Sequence, residues 1–482
     1  IRRLYPQDKP DLGAKRPGTT LRTATARGKG RRAVASTRHC EQASISANSA
    51  GTHRNVQPSN RTFSVKRMRN FLSNLPWAAF ATALFASLLA PRSANGAQNR
   101  IDAIADSLRK LGYENVLARA NDDTLYVVYE NRRLRDDAQA IAQILRVAAS
   151  HSDSITVLAL APTKRRIPLV TVVFSKRPPG NVPKRESNNR SALGSRLFFW
   201  TTSCAHWSAE QAAPSPLRKL DVILLPQLKL QLGDMTDPVK YQLNLAPTLS
   251  TMPWSGGQIV LQIVLPVHNE LSRAESRVRP GLLVMNQLWR LPWNWNTFVS
   301  VSGGYFTSYR YGLDLRVSTY PLRGRLAVFG SLGRTGYAFI DGHTVYYSRF
   351  DRTTYSFSAW YHLSYSDLSL GAEIGQFLYG DKGWRVDIVR RFGEFRLGFF
   401  ALLTELGRNG GFTLSIPLPP RTYAHPGRLR FRAARRFSWE YRYRALRNPG
   451  ITYWTGFNDP LIDLDPPHLE NQLDLFRLPK GW

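Results

Sequence analysis

Three small groups of residues in this 482-residue chain have types and spacing that could do chemistry. His362-Leu-Ser364 sets an imidazole and a hydroxyl on one face of an alternating strand, the pair a hydrolase uses when a third group orients the histidine. No asparagine stands on the following strand to do so; Glu373 and Gln376 occur there instead. Asp314, Glu373 and Asp387 could flank a sugar as the two carboxylates of a glycosidase. Asp314 and Asp387 sit beside arginines in alternating strands, so ion-paired ladders explain them better. Cys204 and His206 offer two ligand types without a further pair, too few for a zinc site. No Gly-rich phosphate loop follows a strand and opens a helix, and Gly256-Gly257 and Gly303-Gly304 read as turn or bulge glycines. The expectation is a protein that is not an enzyme and carries no metal or cofactor.

The more telling chemistry is cationic. In Arg428–Arg444, Arg428, Arg430, Arg432, Arg436, Arg442 and Arg444 share one face, and Leu429, Phe431, Phe437, Trp439, Tyr441 and Tyr443 share the other. Arg435 falls on the apolar side, so a turn near Ala433-Ala434 is expected to split the stretch into a hairpin. Arg310, Arg316, Arg385 and Arg391 alternate in the same way in earlier segments. An arginine facing lipid costs about 2–4 kcal/mol near the bilayer midplane, so this face must meet water. Arginines in such a channel would favour an anionic chain through Coulomb attraction and bidentate hydrogen bonds. Trp360 could stack on a sugar ring. The candidate binding residues are therefore Arg310, Arg316, Trp360, Arg385, Arg391, Arg428, Arg430, Arg432 and Arg436.

The elements that must hold them follow from period. Beyond Leu220 the chain alternates every two residues, as in Leu228, Leu230 and Leu232, or Tyr309, Tyr311, Leu313, Leu315 and Val317. Roughly 12–14 such segments reach Arg444, many of them about 9–12 residues long. A soluble β-sandwich would bury the apolar face, whereas a transmembrane barrel turns it to lipid and keeps a polar lumen. Strand length and aromatics near strand ends favour an antiparallel transmembrane β-barrel over residues 219–457. Ahead of it, Ile101, Ile104, Ala105, Leu108 and Leu111 mark a helix, and Ala138, Ile141, Leu145 and Ala149 a second. With strand-like runs at 116–119, 125–129, 155–160 and 169–174 they predict a small α/β domain over 99–176, which the barrel reading makes periplasmic. Residues 177–218 read as a linker or plug-like segment, Gly450–Phe457 as the last strand and 458–482 as a tail.

Charge is uneven. Of a net +32, residues 1–67 contribute 15 basic and 3 acidic groups. Near Met68 the character changes: basic residues precede the apolar run 77–90, and small residues stand at the −3 and −1 positions if cleavage falls before Ala97. Residues 68–96 are thus expected to be a signal peptide starting at or near Met68, with 1–67 an upstream disordered basic segment outside the mature protein. An exported chain has no use for a nucleic-acid arm. Two cysteines exclude a disulfide-rich scaffold.

Several stretches also resemble a known family. Tyr129-Glu-Asn-Arg132, Ser302-Gly-Gly-Tyr-Phe306 and Gln376-Phe-Leu-Tyr-Gly-Asp-Lys-Gly383 are similar to the YjbH family of exopolysaccharide biosynthesis proteins. So are Arg390-Arg-Phe-Gly393, Gly398-Phe-Phe400 and Gly410-Gly-Phe-Thr-Leu-Ser-Ile-Pro417. The resemblance covers most of 99–445 and implies an outer-membrane barrel of a Gram-negative bacterium that works in assembly or export of a surface polysaccharide. Its partners would be outer-membrane lipid, an anionic exopolysaccharide and other export proteins of the periplasm. Family members continue with more β-sequence, whereas about 37 residues follow Ala445 here. A barrel hydrolase acting on lipid or polysaccharide, and a soluble periplasmic carbohydrate-binding β-protein, are the alternatives.

Overall fold

The computed structural model describes residues 95–121, 123–151, 155–175, 198–200, 212–232, 239–271, 275–292, 295–341, 344–443, 449–457, 460–461, 464 and 469. The expected upstream segment and nearly all of the expected signal peptide lie outside them, as does most of 177–218. Helix α1 (Asn95–Lys110) is followed by β1 (Glu114–Asn121), β2 (Thr124–Glu130), α2 (Asp137–His151), β3 (Val157–Lys164), β4 (Ile167–Pro168), β5 (Thr171–Ser175) and β6 (Phe198–Trp200). The sheet order is β1-β2-β3-β5-β6, with β4 paired to β3; β2 and β3 are parallel, joined through α2. Strand β6 comes from the stretch read as a linker. The apolar helix positions Ile104, Leu108, Ile141 and Leu145 are fully buried against this sheet.

The rest is one large, almost wholly antiparallel sheet. Its strands are β7 (Leu220–Leu232), β8 (Val239–Thr251), β9 (Gly257–Asn269), β10 (Arg279–Arg290), β11 (Phe298–Phe306), β12 (Arg310–Thr319), β13 (Leu326–Asp341), β14 (Thr344–Tyr347), β15 (Arg352–Leu363), β16 (Leu368–Gln376), β17 (Lys382–Phe392), β18 (Phe395–Thr404), β19 (Gly407–Pro417), β20 (Leu429–Ala433) and β21 (Arg436–Arg442). Fourteen follow a single path and β14 is a side branch on β13. The protein is therefore mainly β, but the ladder of hydrogen bonds does not close on itself strand to strand. Its two ends are β20, which pairs in parallel with β7, and β21, which pairs antiparallel with β19. Only Ala434 and Arg435 separate them.

The hairpin expected at 433–434 is thus a break without reversal. Ala434 N–H bonds Leu224 O at 2.9 Å on one side, and Leu418 N–H bonds Arg435 O at 3.1 Å on the other. The run hands its hydrogen bonds from the first long strand to the last. Pro226 stands two residues further along β7; a residue with no N–H suits a strand edge.

The sheet is apolar outside and polar inside. In β12, Leu313 is 61% exposed and Leu315 38%, whereas Asp314 is 3% exposed. In β8, Tyr241, Leu243 and Leu249 are exposed while Gln242, Asn244, Thr248 and Ser250 are buried. Exposed aromatics gather towards the strand ends: Trp254, Trp289, Trp295, Tyr361 and Tyr365 at one, Tyr241, Tyr347, Tyr355, Tyr379 and Trp384 at the other. Among the described residues no helix is long and apolar enough to cross a membrane.

The α/β domain sits against the first of these ends. Gly256 N–H bonds Arg165 O at 2.9 Å, Arg135 N–H bonds Arg421 O at 2.9 Å, and the Arg135 guanidinium forks onto the Glu394 carboxylate at 2.6 and 2.8 Å. Leu288, Phe298 and Tyr320 join the domain's apolar core.

The segment read as a last strand and a tail does something else. Residues 449–457 form no strand and run along the sheet's inner face. Gly450 N–H bonds Asp381 Oδ2 at 2.8 Å and Leu378 N–H bonds Ile451 O at 2.9 Å at the far end. Midway, Tyr453 Oη donates to Asp314 Oδ2 at 2.9 Å, and Phe457 packs with Val260, Leu282, Val284 and Phe306. Leu461, Leu464 and Leu469 are buried in the core of the α/β domain. The segment therefore runs from one end of the sheet to the other. Among the described residues, this inner strap is made by 449–457.

Candidate functional site

The inner face holds two cavities on either side of the strap. The first, about 870 Å³, lies between the α/β domain and strands β7–β9 and β19–β21; the second, about 640 Å³, is bounded by β11–β13 and β15–β18. Eight cationic side chains line the first against four carboxylates, and six arginines line the second against Asp314 and Glu373. Alternation delivers those that stand on strands of the large sheet, since every second side chain of a strand turns inward.

Of the nine residues expected to bind, Arg430, Arg432 and Arg436 line the first cavity. Arg316, Trp360, Arg385 and Arg391 line the second. Arg310 and Arg428 line neither. Arg310 is buried against Asp351, 3.5 Å away, and Arg428 is exposed, its carbonyl accepting from Leu220 N–H at 2.8 Å. The stripe at 428–436 is therefore shorter than its pattern.

In the first cavity, Arg430 Nε reaches Asp221 Oδ1 at 2.6 Å, and Arg435 bonds Asp137 Oδ2 at 3.2 Å. Arg432 lies over the Tyr423 ring at 5.6 Å, with no carboxylate within 4 Å among the described residues. Alternation gave no hint of the Arg132, Arg165 and Arg435 contributions, because two come from the α/β domain and the third from the strand break. In the second cavity, Arg385 makes two bonds to Asp387, at 2.7 and 2.8 Å, and one to Glu440 at 2.9 Å, and lies 4.1 Å over Phe400. Asp314 bonds Arg316 at 2.7 Å. Asp314 and Asp387 are thus members of ion-paired ladders.

The His362–Ser364 pairing dissolves. Strand β15 ends at Leu363 and Ser364 opens a short 3₁₀ turn. His362 is buried and its Nδ1 lies 2.8 Å from the Ser369 hydroxyl across the β15–β16 ladder. Cys204 and His206 lie outside the described residues.

The sequence profile of YjbH, described as exopolysaccharide biosynthesis protein YbjH, matches residues 48–425. The chain belongs to the YjbH family. No curated protein matches it. Three solved chains do. One of them is OmpTdeltaL8 (loop L8 deletion mutant of OmpT), an outer membrane protein of Vibrio cholerae, at 8% identity over 41% of this chain and 85% of that one, with a TM-score of 0.23. The YjbH match begins upstream of Met68 and stops before β20, so the strand break and the strap lie beyond it.

The family-like motifs of this YjbH chain take on physical roles. Tyr129 packs edge-on against Tyr113 in the α/β core. Asn131 ties the next turn together through Leu134 N–H and O and through Asp137 at 2.7 Å. Arg132 sits among Glu130, Asp221 and Glu114, at 2.9, 3.2 and 3.5 Å. Glu114 also takes Lys219, and Asp221 takes Arg430. This cluster pins the α/β domain where β7 meets β20. Burial pushes the Glu114 carboxyl up, against the pull of Arg132 and Lys219. In the second motif, Gly304 has φ +143°, and a Cβ there would stand 2.1 Å from Leu283 O, so only glycine fits.

Proposed function

We propose that this protein forms an outer-membrane β-barrel that takes part in assembly or export of an exopolysaccharide, with a basic lumen that contacts the polymer's anionic groups. The observation that carries the reading is the inverted sheet. A soluble protein would not leave Leu313, Leu283, Met285, Ile374 and Phe399 outside while burying Asp314, Gln262, Asn286 and Asp387. In lipid the same arrangement is the favourable one. A barrel must leave no open edge in the membrane, and the run 429–442 supplies what closure needs by bonding the first strand with one half and the last with the other. Family membership supports the exopolysaccharide role. The α/β domain then lies on the periplasmic side, within reach of other export proteins, and outer-membrane lipid covers the apolar band. The protein acts as a conduit component and not as an enzyme, and it has no nucleic-acid partner.

Replacing Arg432 and Arg436 together by Gln, which leaves the buried Arg430–Asp221 pair intact, tests the lumen's role. Secretion of the polymer should fall several-fold while the barrel still assembles. Unchanged secretion by an assembled variant would reject contact between these arginines and the polymer.

A further inference from the structure

We infer that the second cavity is a subsite for one acidic pyranose unit, with the Trp360 indole as its platform. This rests on the proposed handling of an anionic polysaccharide and names where and how one sugar is held. Trp360 is flanked across the ladder by Ala327 and Gly371, the two smallest neighbours it could have. A Cβ at Gly371 would meet the Trp360 six-membered ring at 2.7–2.8 Å, so the indole lies flat on the wall of the sheet with its other face to the cavity. A flat aromatic face laid against a bare backbone is what the C–H face of a pyranose stacks on.

Around it stand the groups a sugar's polar edge needs. Ser358 and His362 are two residues to either side of Trp360 on β15, and Glu373 pairs with Ser358 in register. Arg391, also buried, lines the same space. From across the cavity, Tyr453 of the strap bonds Asp314 at 2.9 Å and lies 3.3 Å from Thr354 Oγ1. A volume of about 640 Å³ is of ligand size. With Asp387 and Glu440 counted as the partners of Arg385 and Arg442, the six lining arginines still outnumber the four carboxylates, and this surplus favours a carboxylated ring over a neutral one. The first cavity has the charge but lacks Trp360; its own aromatics are Tyr423 and Trp439, and Trp454 of the strap is shared by both.

The test is isothermal titration of the refolded full chain with a trimer of β-1,4-linked glucuronate and with its neutral analogue, cellotriose. Wild type should bind the glucuronate trimer at least ten-fold more tightly than cellotriose. Trp360→Ala should weaken glucuronate binding ten-fold or more, and Trp360→Phe much less. Gly371→Ala, which removes no polar group but pushes the ring off the wall, should weaken it as well. Unchanged affinity in folded Trp360→Ala and Gly371→Ala would overturn the subsite, as would a wild type that binds neither trimer. The lumen's wider role is judged separately by polymer secretion in the Arg432, Arg436 variant, so the two failures are distinguishable.

Discussion

At the scale of single residues the protein concentrates buried charge at one place, the join between the α/β domain and the first and last strands. Glu114 and Glu130 are fully or almost fully buried and depend on Arg132. Removing one partner of such a cluster leaves the others uncompensated in a poor solvent, at a cost of about 3–5 kcal/mol. Arg132→Gln should therefore lower, by that amount, the unfolding free energy read from the urea titration of the helical circular dichroism of α1 and α2. A change under 1 kcal/mol would mean water already compensates these carboxylates. Asp136 makes a second prediction. It caps α2 through Ala138 N–H at 3.1 Å, and burial, aided by Asp137 and Glu394, pushes its carboxyl up to about 6. The native state then holds this proton more tightly than the unfolded chain, so stability is highest below about pH 4 and falls as pH rises through 6. Asp136→Asn keeps the cap and removes the titration. It should flatten the dependence between pH 4 and 7 and raise stability at pH 7 by roughly 1–2 kcal/mol, allowing for water at the half-buried carboxyl. An unchanged pH slope in the urea titration would contradict this.

At the scale of elements, the two faces of each strand should respond oppositely to charge. Leu313→Arg, on the outer face of β12, should cost about 2–4 kcal/mol in a bilayer and reduce assembly. Ser331→Lys in β13, on the inner face beside Ser356 and facing the second cavity, should leave assembly largely unchanged, read by heat-modifiable mobility. Strands were legible because alternation is a local signal: Asp314, Arg316, Leu313 and Leu315 announce their faces from spacing alone. The strap was not. Tyr453, Trp454 and Phe457 are aromatics in an extended stretch, which is also how a strand reads, and only contacts with Asp381, Asp314 and Thr307 reveal a segment laid along the inner face. The junction cluster was hidden for a related reason, since Glu114, Arg132, Asp221 and Arg430 are spread over more than 300 positions. Likewise His362 and Ser364 seemed paired because a strand was continued one residue past its end, and the true neighbour, Ser369, follows from register. Tyr453→Ala combined with Asp314→Ala frees the strap at its midpoint and should raise single-channel conductance in planar bilayers. Equal conductance would place the strap outside the conducting path.

At the scale of the whole molecule, the account turns on one claim: that the outward apolar face meets lipid. The inner arginines, the strap and the sugar subsite have their proposed meaning only inside a barrel that spans the membrane. The most direct test separates inner and outer membranes of a Gram-negative host expressing the chain, then compares its gel mobility before and after boiling. The account predicts recovery in the outer-membrane fraction and a mobility that shifts on heating, as a folded barrel unfolds. A protein recovered soluble from the periplasm, with one mobility throughout, would contradict it and leave a carbohydrate-binding β-protein in its place.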